Sequence, residues 1–146
     1  MESTAAQILL VEDSDEDFDT VLEAARRSEH RPHIVRAVDG ENALERLHKD
    51  HPSAYRLVIL DHNLPGALSG FDVLVAMRAS TVLELLPTVM FTTSNSERDC
   101  QACYRAGANA YHVKSVGFND CLRMLGTIFD YWLSSAKPPL TREIAR

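Results

Sequence analysis

Short, bare apolar runs alternate along this chain with longer stretches in which hydrophobic residues recur every three or four positions. Ile8-Leu-Leu-Val11, Leu57-Val-Ile-Leu60 and Thr88-Val-Met-Phe91 show no polar alternation, as expected of strands buried on both faces. Ile34–Val38 and Ala110–Val113 read as two more strands. Between the runs the period changes to that of a helix. From Ser14 to about Ser28, Phe18, Val21, Leu22 and Ala25 fall on one face, and the acids gather in the first turn, where the helix dipole favours them. Asp39 can cap a helix carrying Ala43, Leu44 and Leu47, which ends before His51-Pro52. Phe71–Met77, Ser94–Ala106 and Phe118 to about Leu133 supply three more; Ser94 with Glu97 reads as a capping box, and Gly107 as the left-handed residue past a helix end. Five strands thus alternate with five helices through connections of a few residues. The expected architecture is an α/β, doubly wound, five-stranded parallel sheet with helices on both faces.

With 146 residues, 45% of them hydrophobic, the chain can fill one core, so residues 1–135 are expected to form one domain. Residues 136–146, with Pro138-Pro139, are expected to be a short tail with no room for an output domain. A net charge of −6 leaves no basic surface for a nucleic-acid backbone. No apolar run is long enough for a membrane span, and Met1–Gln7 lacks the basic start and apolar stretch of a secretory signal, so a cytoplasmic location is expected. Three cysteines are an odd set and suggest reduced thiols. Cys100 and Cys103 have the spacing of a redox or zinc pair but sit inside a predicted helix with no second pair, so packing is their reading.

In an open parallel sheet, function collects where strands end at their C-terminal edge. Here those ends carry Glu12-Asp13, Asp61, Thr92-Thr93 and Lys114. Clustered carboxylates repel one another and call for a cation, and oxygen-only ligands suit Mg²⁺. With such an ion bound, a carboxylate oxygen of Asp61 can attack phosphorus while Lys114 and Thr92 meet charge on the equatorial oxygens, giving an aspartyl phosphate. His62, next to Asp61, is modulatory at most.

Leu9-Leu-Val-Glu-Asp13, Leu57-Val-Ile-Leu-Asp-His-Asn-Leu-Pro65, Phe91-Thr-Thr-Ser94 and Gly107-Ala-Asn-Ala-Tyr-His-Val-Lys114 together resemble the receiver domain of response regulators, over nearly all of Gln7–Leu133. The resemblance implies a flavodoxin-like sheet ordered 2-1-3-4-5 and Asp61 as phosphoacceptor. It implies Asp13 and Asp61 as side-chain Mg²⁺ ligands, the Asn63 main-chain carbonyl as another, and Glu12 acting through metal-bound water. It further implies that Thr92 and Lys114 contact the phosphoryl group and that Tyr111 is the switch aromatic, remodelling the face of helix four, strand five and helix five. The phosphoryl donor would be a sensor histidine kinase. The Thr92-Thr93-Ser94 run, the Lys114-Ser115 pair and the ending Phe129-Asp-Tyr-Trp-Leu-Ser-Ser135 are similar to small regulators paired with bacterial phytochrome kinases; the downstream partner is unspecified. Two departures touch the pocket: Ser115 stands where the family commonly has proline, so a trans peptide is expected after Lys114, and the Gly66–Gly70 loop is one residue longer than usual.

One alternative is a phosphate-independent, receiver-like binding module, which the retained Asp13, Asp61, Thr92 and Lys114 disfavour. Another is an aspartyl phosphohydrolase using Asp13 and Asp15, which lacks the small turn such enzymes have after that pair. No glycine-rich phosphate loop follows the first strand, and no G-x-S-x-G elbow occurs. The last helix is more apolar than one core face requires: Phe118, Cys121, Leu122, Leu125, Phe129 and Trp132 form a core stripe, and Met124, Ile128 and Tyr131 extend it sideways. A homodimer through helix five is expected, the alternative being that the tail folds over that extension.

Overall fold

The computed structural model describes residues 5–139. The residues beyond these, which include Met1–Thr4 of the expected domain and residues 140–146 of the expected tail, lie outside the described part. Five parallel strands, β1 (Gln7–Val11), β2 (His33–Ala37), β3 (Leu57–Leu60), β4 (Thr88–Thr92) and β5 (Ala110–Val113), form one sheet in the order β2-β1-β3-β4-β5. The helices are α1 (Asp15–Arg27), α2 (Gly40–Lys49), α3 (Gly70–Ala79), α4 (Glu97–Arg105) and α5 (Phe118–Asp130). Among the described residues no helix is long and apolar enough to cross a membrane, and no peptide bond is cis, so the bond after Lys114 is trans as expected.

The bare apolar runs are explained by burial on both faces of the sheet. Side chains alternate along a strand: Leu9, Val11, Val58, Leu60 and Met90 pack with Ala43, Leu47, Val73, Leu74, Met77 and Cys103 on one face. Ile8, Leu10, Leu57, Ile59, Val89 and Phe91 pack with Val21, Ala24, Ala25, Leu125 and Phe129 on the other. Register runs from Ile8 opposite Ile34 and Leu10 opposite Ile59 to Leu60 opposite Met90 and Thr92 opposite Val113.

The structure differs from the sequence reading at several points. On α1, Ala24 joins the buried face and Leu22 is exposed. The start of α4 lies two residues later than expected: Ser96, not Ser94, is the cap, its side chain accepting from Asp99 N. The Ser94 hydroxyl instead donates to the Asp99 carboxylate at 2.7 Å, so Ser94 and Glu97 form no capping box. Phe118, placed in the core stripe of α5 by the sequence, stands half exposed at the start of that helix. Ile128, expected on an outer face with Met124 and Tyr131, is 2% exposed and belongs to the α1–α5 side of the core, against which Met124 is also packed. Only Tyr131 of those three is exposed. The regular helix stops at Asp130 and widens into a π-type turn, Tyr131–Ser135, where the Trp132 carbonyl accepts from the Arg56 guanidinium at 3.0 Å.

Candidate functional site

The groups singled out in the sequence are those that stand just where the strands give out, and main-chain bonds carry the sheet one residue further to fix them. Glu12 N donates to Ala37 O at 3.0 Å, Asp61 N to Val11 O at 3.1 Å, and Lys114 N to Thr92 O at 2.7 Å. Glu12, Asp61, Thr92 and Lys114 are thereby held at adjacent positions on one edge. Gly70, the first residue of α3, lets that helix sit directly on the main chain following β3. A Cβ there would lie 2.0 Å from Asp61 O and 2.9 Å from His62 Cα, and Gly70 N donates to His62 O at 2.9 Å.

The Lys114 ammonium is enclosed by carboxylates. Its Nζ lies 2.7 Å from Asp17 Oδ2, 2.8 Å from Glu12 Oε1 and 3.1 Å from Asp61 Oδ2, so each of its three protons has a carboxyl oxygen as acceptor. The Lys114, Glu12 and Asp61 side chains are almost fully buried, while that of Asp17 is 33% exposed. Burial pushes the Glu12 carboxyl up to about 7, against the downward pull of its hydrogen bond from Lys114. Burial pulls the lysine down, but the hydrogen bonds to Asp17 and Glu12 and the charge of Asp61 outweigh it and hold the ammonium above its ordinary value.

Glu12, Asp13 and Asp61 each offer an oxygen within 4.8 Å of the other two, and Asp13 is exposed. An oxygen-only set of three acids with a side open to water fits a small hard cation such as Mg²⁺ or Mn²⁺. Asn63 N donates to Asp61 Oδ1 at 3.1 Å, which places the Asn63 main chain at the rim of the same pocket. Asp15 turns away: it is 90% exposed and pairs with Arg36 at 2.8 Å. Asp13 and Asp15 therefore do not form the two-acid arrangement of the phosphohydrolase alternative.

This strand order occurs together with two acids after β1, an acid after β3, a hydroxyl at the end of β4 and a lysine after β5, and the family model of the response regulator receiver domain matches residues 8–125 of this chain. The chain is a receiver domain. Its relatives include a regulatory protein, FilR2, of Methanothrix harundinacea, 35% identical over 90% of this chain and 86% of that one. The response regulator Rcp1 of Synechocystis is 32% identical over 90% of this chain and 92% of its own length. The structure of Mn²⁺-bound Rcp1 superposes with a TM-score of 0.85 at 32% identity over 92% of this chain and 99% of that one. That of the phosphorylated cyanobacterial phytochrome response regulator RcpA superposes with a TM-score of 0.86 at 30% identity, over 94% of this chain and all of that one.

Within this receiver, Tyr111 lies on β5. It is half-buried, and its hydroxyl donates to the Ser94 carbonyl at 2.9 Å; burial raises its pKa. Ser94 in turn donates its main-chain N–H to Thr92 Oγ1 at 3.3 Å and its hydroxyl to Asp99. Asp99 Oδ1 stands 3.9 Å from His62 Nε2, and His62 Nδ1 is buried without a partner among the described residues. Thr92, fully buried, is thus linked through the β4–α4 connection to Tyr111. Sequence reasoning missed Asp17 and Asp99. By sequence Asp17 is simply one of the acids of the first turn of α1, and its partner Lys114 is 97 residues away.

Proposed function

We propose that this receiver is a single-domain response regulator that accepts a phosphoryl group on Asp61 from a sensor histidine kinase, of the phytochrome type by likeness to Rcp1 and RcpA. The supporting observation is the Lys114 ammonium spanning Asp61 and Glu12 beside Asp13. Asp13 and Asp61, the Asn63 carbonyl, and Glu12 through water are the groups that would hold a divalent cation. When bound, the cation neutralises charge on the donor and on the transferring group.

The chain's own residues do the rest. An Asp61 oxygen attacks phosphorus as the bond to the donor breaks, so the phosphoryl group passes from the donor to the carboxylate. Lys114, no longer shared with the attacking oxygen, turns a proton toward the phosphoryl oxygens, and the Thr92 hydroxyl meets another. Tyr111 reports the position of Thr92 to the face of α4, β5 and α5, so phosphorylation shifts a population of arrangements. Slow hydrolysis of the aspartyl phosphate resets the switch; no other turnover is assigned. The receiver spans 1–135, acts in the cytoplasm and passes its signal to a partner protein.

Incubation with Mg²⁺ and acetyl phosphate, followed by intact mass measurement, tests this reading. One phosphoryl adduct is expected in the wild type and none in Asp61→Asn or with EDTA; an adduct of equal yield in Asp61→Asn refutes Asp61 as acceptor. Two copies associate through the C-terminal end of α5 and the turn after it, supported by the exposed Tyr131 at a groove of about 470 Å³ lined by residues of the β5 edge (Asn109, Ala110, His112), by Thr127 and Ile128 of α5, and by Tyr131 and Trp132. Light scattering should give a dimer for the wild type and a monomer for Tyr131→Glu, and a monomeric wild type at tens of micromolar refutes the association.

A further inference from the structure

Asp17 belongs to none of the strand-end motifs, yet it makes the shortest contact to the site lysine, at 2.7 Å. We propose that Asp17 is a positioning residue that holds the Lys114 ammonium over Asp61, so that the lysine is aimed at the phosphoryl group as it arrives. The proposal rests on the phosphorylation reading above.

Lys114 follows the edge strand β5 and carries its charge on a flexible four-carbon stem, which leaves it free to swing unless other groups fix it. Three carboxylates do so. The Asp61 contact is the one that changes in the reaction, because that carboxylate becomes the acyl phosphate. Two fixed acceptors then remain, Glu12 from the buried side and Asp17 from the solvent side. Glu12 is already engaged elsewhere: its second oxygen accepts from Ser14 N at 3.2 Å, and it belongs to the cation pocket. The Asp17 carboxylate has Lys114 as its single hydrogen-bond partner among the described residues.

Asp17 is itself held in place. Its main-chain N–H donates to the capping hydroxyl of Ser14 at 3.2 Å, so Glu12, Ser14 and Asp17 form one connected run from the end of β1 into the first turn of α1. A purely helix-stabilising acid would not need this aim, and Asp15 and Glu16 already supply negative charge to that first turn from exposed positions.

The test uses the full chain as wild type, Asp17→Ala, Asp17→Asn and Asp17→Glu. In the first arm, without donor, the Lys114 ammonium is observed by ¹H–¹⁵N NMR. A hydrogen-bonded, slowly exchanging signal is expected in the wild type and its loss in Asp17→Ala. In the second arm, phosphorylation rate is followed against acetyl phosphate concentration with Mg²⁺. Asp17→Ala should lower the maximal rate by about five- to tenfold, in line with loss of one charge-assisted hydrogen bond that orients a reacting group, without raising the donor concentration for half-maximal rate. Asp17→Glu, which keeps the charge on a longer stem, should recover at least half of the rate. Asp17→Asn, which keeps the shape and the helix position, should fall between and serves if Asp17→Ala does not fold. An unchanged or increased maximal rate in Asp17→Ala or Asp17→Asn, or an unchanged ammonium signal, overturns the assignment alone. No adduct in the wild type overturns the phosphorylation reading and the assignment with it, while the first arm still reads the contact separately.

Discussion

Two glycine-to-alanine substitutions, identical in chemistry, should move this protein in opposite directions. At Gly70 the added methyl would meet Asp61 O at 2.0 Å, Asp61 C at 2.8 Å and His62 Cα at 2.9 Å, all of them backbone, where ordinary contact begins at 3.4 Å. No rotamer can relieve this, so the start of α3 must retreat by more than an ångström. That breaks the Gly70 N to His62 O bond and loosens packing around Val73, Leu74 and Met77. Overpacking of this kind costs about 1–3 kcal/mol and the lost hydrogen bond about 1 more. At Gly126, in the middle of α5, nothing lies within 4 Å of the added methyl, and alanine gains about 0.8–1 kcal/mol of helix propensity. In thermal unfolding followed by circular dichroism, Gly70→Ala should lower Tm by roughly 6–16 °C and Gly126→Ala raise it by about 2–4 °C, given about 3–4 °C per kcal/mol at this size. Because the stretch that loses this support carries Asp61 and Asn63, Gly70→Ala should also weaken the proposed phosphorylation at temperatures where it remains folded. A Tm for Gly70→Ala within about 2 °C of wild type would show that the close approach of α3 to the β3 end is not a constraint.

Two further outcomes follow from the site. Because the Glu12 carboxyl is raised to about 7 by burial, the folded chain holds a proton there that the unfolded chain releases near 4.5. This contribution is present below about 4.5 and is lost as pH rises toward 7, by on the order of 2–3 kcal/mol. Urea unfolding in EDTA should therefore show stability falling over that window, with a flatter profile in Glu12→Gln; parallel profiles would refute the shift. Asp99 acts on Tyr111 through Ser94, so Asp99→Ala and Tyr111→Phe should be non-additive in a double-mutant cycle by at least about 0.5 kcal/mol. Strict additivity would separate the two.

Much of the fold was legible because burial on both faces leaves an unmistakable mark on β1, β3 and β4, while Asp39 and the acids of the first turn of α1 mark helix starts through local hydrogen bonding. Part of the site was legible for a related reason, since Glu12, Asp61 and Thr92 are each the first polar group after a bare apolar run and Lys114 directly follows β5. What could not be read depended on distant partners. The segment Ser94-Asn-Ser-Glu-Arg-Asp99 offers two serine-to-acid pairs three apart, and local chemistry does not choose between them. The choice is made by tertiary contacts, with the Ser94 carbonyl taken by Tyr111 and its hydroxyl by Asp99, leaving Ser96 as the cap. Ile128 was misplaced because a helical wheel assumes one buried side, whereas α5 is covered by both the sheet and α1. Asp17 was passed over because an acid in a first helical turn already has a sufficient local explanation.

The separation of 102 residues between Glu12 and Lys114, which meet at 2.8 Å, has a consequence for the life of the molecule before it signals at all. During synthesis Asp61 leaves the ribosome well ahead of the lysine, and until β5 has docked at the far edge of the sheet the acids stand without their counter-charge. Such a nascent chain carries the acid proposed as acceptor without the lysine that, on the same proposal, would meet the phosphoryl group. Long-range closure slows folding, and here it also means that the charge balance of the strand-end pocket is completed only when the last strand joins the sheet.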